Sequence, residues 1–288
     1  MSESRADAGA TGEMEDETDG VTDGDTDGVT DGDTDGVTDG DTDGVTGTED
    51  SAIITATNVS RSFGAVDVLN DVSVSLEAGT VTTIIGPNGS GKTTLLRVLT
   101  RVLSPTSGSV TYEGPETARE IGYMPQQPAF RPGFTTRETL EFYTSLVDDE
   151  PAGLLERVGL GEAGERDVEA LSGGMQRLLG IAQATVGDPP VVVLDEPGSG
   201  LDPGMRQRTF EVVRELADEG TAVVLSTHDL HLAEDFADDV ILLEAGNVLT
   251  TGSPDALLET YECDSLQSVF DTAISRQRGT VEVVGESS

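Results

Sequence analysis

The sequence predicts an α/β fold: a parallel sheet flanked by helices, interrupted by a helical lobe and preceded by an acidic segment too polar to fold. Three observations carry that expectation. Val81–Ile85 is an apolar, β-branched run that passes straight into a glycine-rich loop and then into helical spacing. Residues 191–194 and 222–225 are short, wholly apolar runs, as buried parallel strands are, and an amphipathic helical pattern separates them. Between these halves, residues 131–185 change character and become helical.

In chain order, residues 1–50 hold 18 acidic side chains and one arginine, and Val-Thr-Asp-Gly-Asp-Thr-Asp-Gly repeats every eight residues from position 21 to 44. Almost nothing there can be buried, so nothing offsets the ordering entropy and a disordered acidic tail is expected. Asp39, Asp41, Asp43, Gly44 and Asp50 match part of a calcium loop. Flanking helices are missing, and the preceding repeats place Thr34 and Thr42 where a last ligand is needed, so calcium is not assigned.

Folded chain is expected over residues 51–275, with 276–288 a flexible tail. Residues 53–59 read as a strand, and Val72, Val74 and Leu76 alternate with Ser73 and Ser75, as in a strand with one buried face. After the glycine loop, the spacing of Leu95, Leu96, Val98, Leu99 and Leu103 predicts a helix over 93–103. In the lobe, Thr135 and Glu138 form a capping-box pattern ahead of Leu140, Tyr143, Leu146 and Val147, which share a helical face. Asp202 and Pro203 start a further helix, Phe210, Val213 and Leu216 line it, and Gly220 stops it.

Composition narrows the function. The chain has 288 residues, 35% of them hydrophobic, enough for one large core. Its apolar stretches, such as 191–194 and 240–243, fall far short of the roughly 18 residues that span a bilayer. Residues 1–10 lack the basic and apolar regions of a secretory signal, so a cytoplasmic protein is expected. A single cysteine, Cys263, allows neither an internal disulfide nor a cysteine metal cage. With 55 acidic against 16 basic residues the net charge is −39, which repels phosphate backbones, so no nucleic acid is expected as partner. Fifteen of the basic residues are arginine and one is lysine, a bias that resembles proteins of salt-loaded, halophilic cytoplasms.

That one lysine stands in Gly86-Pro87-Asn88-Gly89-Ser90-Gly91-Lys92-Thr93, which fits the P-loop pattern G-x-x-x-x-G-K-[ST] in full and lies between a predicted strand and a predicted helix. The glycines let backbone N–H groups converge on phosphate oxygens, and the helix N-terminus adds partial positive charge. Lys92 should reach the β- and γ-phosphates and the Thr93 hydroxyl should ligate magnesium, with Thr94 completing the nucleotide-binding turn. ATP and Mg2+ are therefore the expected ligands. Asp195 and Glu196, at the end of an apolar strand, belong at the sheet's C-terminal edge, where such folds bind ligands. Asp195 should hold magnesium, and Glu196 should orient or deprotonate the attacking water.

Leu171-Ser172-Gly173-Gly174-Met175-Gln176 lies between these motifs, and with it the chain resembles an ATP-binding cassette (ABC) ATPase over about residues 53–270. The resemblance implies a RecA-like P-loop NTPase core with a parallel sheet, an N-terminal antiparallel β subdomain and a helical signature subdomain. It implies that Ser172, Gly173 and Gly174 clamp the γ-phosphate of an ATP held by a partner subunit. From physics alone, Ser172 is a helix cap followed by two glycines, an anion-binding turn. Four further positions match the family in order. Phe63 falls where an aromatic stacks on adenine. Gln126 matches the Q-loop glutamine, which touches magnesium and joins the lobe to a membrane partner. Ser199-Gly200-Leu201-Asp202 matches the D-loop, and His228 in Ser226-Thr227-His228-Asp229 matches the switch histidine.

The resemblance further implies an ATPase whose catalytic residues are Glu196, His228 and Lys92. Such an enzyme works as a head-to-tail dimer of two ATPase subunits, expected here to be a homodimer. It docks peripherally, on the cytoplasmic face of the membrane, onto a separate polytopic membrane permease subunit through the Q-loop and the lobe around 128–136. Residues 264–270 resemble the tail of ABC-2 type exporter ATPases, which favours export over import of a small solute. The rival is a soluble cassette ATPase acting on the ribosome or DNA, disfavoured by one cassette, no heptads and one cysteine. The cargo would be recognised by the membrane subunit and is not written in this chain.

Overall fold

Alternation of apolar with small polar residues makes the first two strands. In the computed structural model, which describes residues 52–147 and 149–285 and side chains as far as Arg276, β1 (Ala52–Phe63) and β2 (Val66–Glu77) pair antiparallel. The acidic repeats and the partial calcium loop lie outside the described residues. The strand expected over 53–59 runs on to Phe63 because its pairing with β2 continues to the Phe63–Val66 pair. Val72, Val74 and Leu76 are buried while Ser73 and Ser75 face solvent, as the alternation predicts.

β3 (Val81–Ile85) is buried at every position and leads through the glycine loop into α1 (Lys92–Leu99). This helix stops four residues short of the predicted 103. Arg101 has φ 58, a left-handed conformation that a right-handed helix cannot pass through, and the Leu103 N–H donates to the Arg97 carbonyl instead. Eight residues are too few to hold a helix alone. Burial of Leu95, Leu96, Val98 and Leu99, each worth about 1.5–3 kcal/mol, is what stabilises it. β4 (Ser107–Tyr112) then pairs with the other edge of β1, completing an antiparallel sheet of order β2-β1-β4.

β5 (Ile121–Met124) opens the second sheet, and the lobe follows as α2 (Thr136–Thr144), α3 (Pro151–Arg157), two short 3-10 turns and α4 (Gly173–Thr185). The predicted capping box is present: the Glu138 N–H donates to Thr135 Oγ1 at 3.2 Å, and the Thr135 N–H to Glu138 Oε2 at 2.8 Å. Leu140 is buried, but α2 ends before Leu146, which is 72% exposed and does not share the buried face expected of it.

The remaining elements are β6 (Val191–Asp195), α5 (Pro203–Asp218), β7 (Ala222–Thr227), α6 (Leu230–Phe236), β8 (Asp239–Glu244), β9 (Asn247–Gly252), α7 (Pro254–Tyr261) and α8 (Leu266–Gly285). Among the described residues the second sheet has the order β5-β6-β7-β3-β8-β9; every pair is parallel except β8 with β9, a hairpin at the edge. The backbone of α8 continues to Gly285, past residue 275 where the folded domain is expected to end. No helix among the described residues is long and apolar enough to cross a membrane.

One sheet face packs on α1 and the antiparallel sheet through Ile84, Val193 and Val224, and the other packs on α4, α5 and the lobe through Val192, Leu194 and Val223. Register places the site. Ile85 pairs with Thr227 and Asp195 with Ser226, so the loops that follow β3, β6 and β7 emerge side by side at one edge.

Candidate nucleotide site

The loop after β3 is shaped by backbone that comes too close for side chains. A Cβ on Gly86 would collide with the Leu243 carbonyl of β8, and Gly91, the residue capping α1, has φ 108 with the Val68 carbonyl 2.9 Å from where its Cβ would stand. Lys92 is only 6% exposed, and its Nζ donates to the Gly86 carbonyl at 2.7 Å and the Pro87 carbonyl at 3.0 Å. Burial pulls the lysine's pKa below its ordinary value, and the nearby charges of Glu196 and Asp195 partly restore it. Ser90 Oγ is buried without a hydrogen-bond partner among the described residues. A desolvated cation and an orphaned hydroxyl beside a helix N-terminus suit a phosphate chain.

β6 delivers two carboxylates to the same place. Asp195 is 1% exposed and Glu196 8%, and both are tied by one hydroxyl: Ser226 Oγ donates to Asp195 Oδ1 at 2.7 Å and accepts from the Glu196 N–H at 2.9 Å. Thr93 Oγ1 donates to the same Asp195 oxygen at 3.2 Å. Gln126 Nε2 donates to Glu196 Oε2 at 3.1 Å, and His228 Nδ1 lies 3.6 Å from Glu196 Oε1. The Glu196 carbonyl accepts from Arg177 Nη1 at 2.7 Å and from the Ser199 N–H at 3.2 Å. Glu196 itself has φ 49, a conformation that costs a residue with a side chain about 1–2 kcal/mol and persists because these bonds enforce it. Among the described residues no three His, Cys, Asp or Glu side chains are grouped to hold a metal. The paired Thr93 and Asp195 oxygens are the hard donors that a magnesium ion bound together with phosphates uses.

Asn88, Gly89, Gly91, Lys92, Thr93, Thr94, Gln126 and Glu196 line one cleft of about 500 Å³, together with Val68. Gly86, Pro87, Ser90, Asp195 and His228 adjoin it through the contacts above, and the remaining predicted residues lie elsewhere. Phe63, at the end of the β1–β2 hairpin, is 47% exposed under the Arg61 guanidinium, 4.6 Å from its ring centroid. Ser172 caps α4 by accepting from the Met175 N–H at 3.3 Å, and Gly174 packs closely on Met205. Gly173 lines a neighbouring cleft of about 450 Å³ with Gln126, Ser199 and Gly200. The Asp202 carboxylate caps α5, accepting from the Gly204 and Met205 N–H groups, both at 3.1 Å. Sequence reasoning missed Ser226 and Arg177 as parts of the site. A polar residue closing the apolar run of β7 was the available signal for Ser226; none marked Arg177.

Residues 69–199 match the family described as ABC transporter. The probable multidrug ABC transporter ATP-binding protein YbhF of Escherichia coli K12 is 38% identical over 227 residues, 73% of this chain and 39% of YbhF, so the chain spans about two fifths of that relative's length. Nod factor export ATP-binding protein I of Bradyrhizobium diazoefficiens is 35% identical over 222 residues, 72% of each chain. A solved dimeric, post-hydrolysis state of an ATP-binding cassette bound to ADP and Pi superposes with a TM-score of 0.63 at 25% identity, covering 69% of this chain and 98% of that one. Similarity at this level, sustained over most of a relative's length, establishes the family, and the chain belongs to the ATP-binding proteins of ABC transporters.

Proposed function

We propose that the chain binds and hydrolyses ATP as one half of a head-to-tail dimer, and that this cycle powers transport through a separate membrane subunit. One observation carries the reading: Lys92, Thr93, Gln126 and Glu196 line a single cleft, whereas Ser172, Gly173 and Gly174 do not line it. A chain so built grips nucleotide from one side, and a second copy would supply the signature loop from the other. That the solved cassette bound to ADP and Pi is dimeric supports a dimer.

In the proposed cycle, Lys92 exchanges the Gly86 and Pro87 carbonyls for phosphate oxygens and stabilises charge that develops there. Thr93, Asp195 and Gln126 would hold magnesium, which when bound supplies charge neutralisation at the β- and γ-phosphate oxygens. Glu196 orients the attacking water and accepts its proton. His228, 3.6 Å from Glu196, would contact the γ-phosphate. Phe63 would stack on adenine, and Asp202 would serve the D-loop contact between subunits.

The docking face we assign to the membrane subunit is the lobe surface that follows Gln126 in the chain, where Phe130, Phe134, Phe142 and Tyr143 line a cleft of about 240 Å³ and Phe142 is 60% exposed. Export is the direction favoured by the ABC-2-like residues 264–270 and by the similarity to the Nod factor export ATP-binding protein I. Peripheral attachment at the cytoplasmic face and a salt-loaded cytoplasm complete the reading.

The test is Glu196→Gln. It should retain ATP binding, lose about 100-fold or more in turnover, and accumulate as an ATP-bound dimer in light scattering. Unchanged turnover would remove Glu196 as the base, and a monomer at every ATP concentration would remove the dimer. Recovery with membranes only when a polytopic partner is co-expressed supports transport; co-sedimentation with ribosomes would replace it.

A further inference from the structure

Glu196 is gripped from the helix that carries the signature loop. Arg177 stands on α4, one turn beyond Gly173, and its guanidinium reaches across to the Glu196 carbonyl at 2.7 Å. The other ties on Glu196 come from different elements: Ser226 of β7 on its N–H, Gln126 after β5 and His228 after β7 at its carboxylate, and Ser199 of its own turn on its carbonyl. Arg177 alone joins it to the lobe helix.

Arg177, like Arg61 and Arg119, directs its hydrogen bonding at main-chain carbonyls, and of these three it alone reaches a carboxylate-bearing residue of the site. Arg101, Arg137, Arg157, Arg206, Arg208 and Arg214 all pair with carboxylates. Arg177, half-buried close to the charges of Glu196 and Asp195, makes no ion pair among the described residues and directs its hydrogen bond at a main-chain carbonyl. A charged donor on a carbonyl is a strong bond, and this one acts on the peptide that follows a residue at φ 49. It also lines the cleft that Gly173 shares with Ser199 and Gly200, so movement of the signature helix moves its anchor.

We infer that Arg177 is a positioning residue for hydrolysis: it holds the Glu196 peptide in the left-handed turn that presents the carboxylate to the cleft, and so makes the base responsive to the position of the signature helix. The inference rests on the reading of Glu196 as base within a head-to-tail dimer. In such a dimer a chain's signature loop serves one ATP while its Glu196 serves the other. The Arg177 bond then links the two sites through a single chain.

The experiment measures steady-state ATP hydrolysis and binding of a fluorescent ATP analogue by the full chain. Arg177→Ala and Arg177→Lys are made alone and in the Glu196→Gln background. Arg177→Ala should lower kcat about ten- to a hundredfold, the worth of a charge-assisted bond, with KM and analogue affinity within about twofold. Arg177→Lys should recover part of the loss. In the Glu196→Gln background, Arg177→Ala should slow turnover no further, because both changes act through one base. Where the alanine variant does not fold, Arg177→Gln carries the same comparison. If Arg177→Ala keeps wild-type kcat while Glu196→Gln is slow, the inference fails and the base assignment survives. If Glu196→Gln keeps wild-type turnover, the base assignment itself fails. A rise in KM equal to the loss in kcat/KM, or a full further loss in the double variant, would place Arg177 on the nucleotide or the fold and overturn its positioning role.

Discussion

Ser226→Ala removes one oxygen on which two carboxylate-bearing residues depend. The hydroxyl is fully buried, donates to Asp195 at 2.7 Å and accepts from the Glu196 N–H at 2.9 Å. Losing the bond to the charged Asp195 costs about 1.5–3 kcal/mol, and leaving the Glu196 N–H buried without a partner about 1–3 kcal/mol. Asp195 keeps the Thr93 hydroxyl, which limits the first figure to its lower half. A net loss of about 3 kcal/mol is expected, a large share of a domain stability of about 5–15 kcal/mol. The assay is urea unfolding followed by circular dichroism at constant high salt. With a slope of about 3 kcal/mol/M, the midpoint should fall by about 1 M. Ser109→Ala, on an exposed serine of β4, serves as the control and should leave the midpoint in place. Turnover should fall as well, because the Glu196 turn loses a tie. A midpoint for Ser226→Ala within about 0.3 M of the control would refute the reasoning, since the hydroxyl would then carry no structural load.

Gly86→Ala should destabilise by more than about 3 kcal/mol, or prevent folding, because the obstacle to the new Cβ is the backbone carbonyl of Leu243 in a buried strand; a melting temperature close to wild type would contradict that geometry. Asp239→Asn should stabilise at neutral pH. Burial, and then the charges of Glu77 and Asp238, raise the Asp239 pKa above its ordinary value, so its ionised form costs stability above the folded-state pKa. That cost shrinks as the pH falls from the folded-state pKa toward the ordinary carboxylate value and is gone below it, so the gap between variant and wild type should close in acid. At about 1 M salt the part owed to Glu77 and Asp238 should shrink. A stability difference that widened toward acid pH would reverse the expected sign.

Where a signal was local, the sequence spoke for the structure. The alternation at Val72, Val74 and Leu76, the capping box at Thr135 and Glu138, and the start of α5 at Asp202 and Pro203 each depend on residues a few positions apart. All three appear as read. Misreadings came where tertiary context outweighs spacing. Leu103 continues the periodicity of α1, but the left-handed Arg101 ends the helix first, and no residue type there announces it. Leu146 follows the helical spacing of α2 yet lies beyond its last turn. The edge hairpin of β8 and β9 is a matter of pairing partners, which periodicity does not name. Of the cleft lining, the P-loop residues and Glu196 lie in short contiguous motifs and Gln126 follows from the family resemblance, whereas nothing local marks Val68. Ser226 and Arg177 reach Glu196 from 30 and 19 residues away, through strand register and helix packing.

Lys92 has a chemical consequence apart from nucleotide binding. It is the only ε-amine in a chain of 288 residues, it is almost fully covered, and its ammonium group already donates to two loop carbonyls. Acylating reagents and lysine-tagging enzymes thus meet a surface with no decoy. Apart from the α-amine, any amide formed on this protein reports that the loop has let its lysine go. The rate of that reaction is a clock for loop opening, readable by the mass of the intact chain, with arginine filling every other basic position in silence.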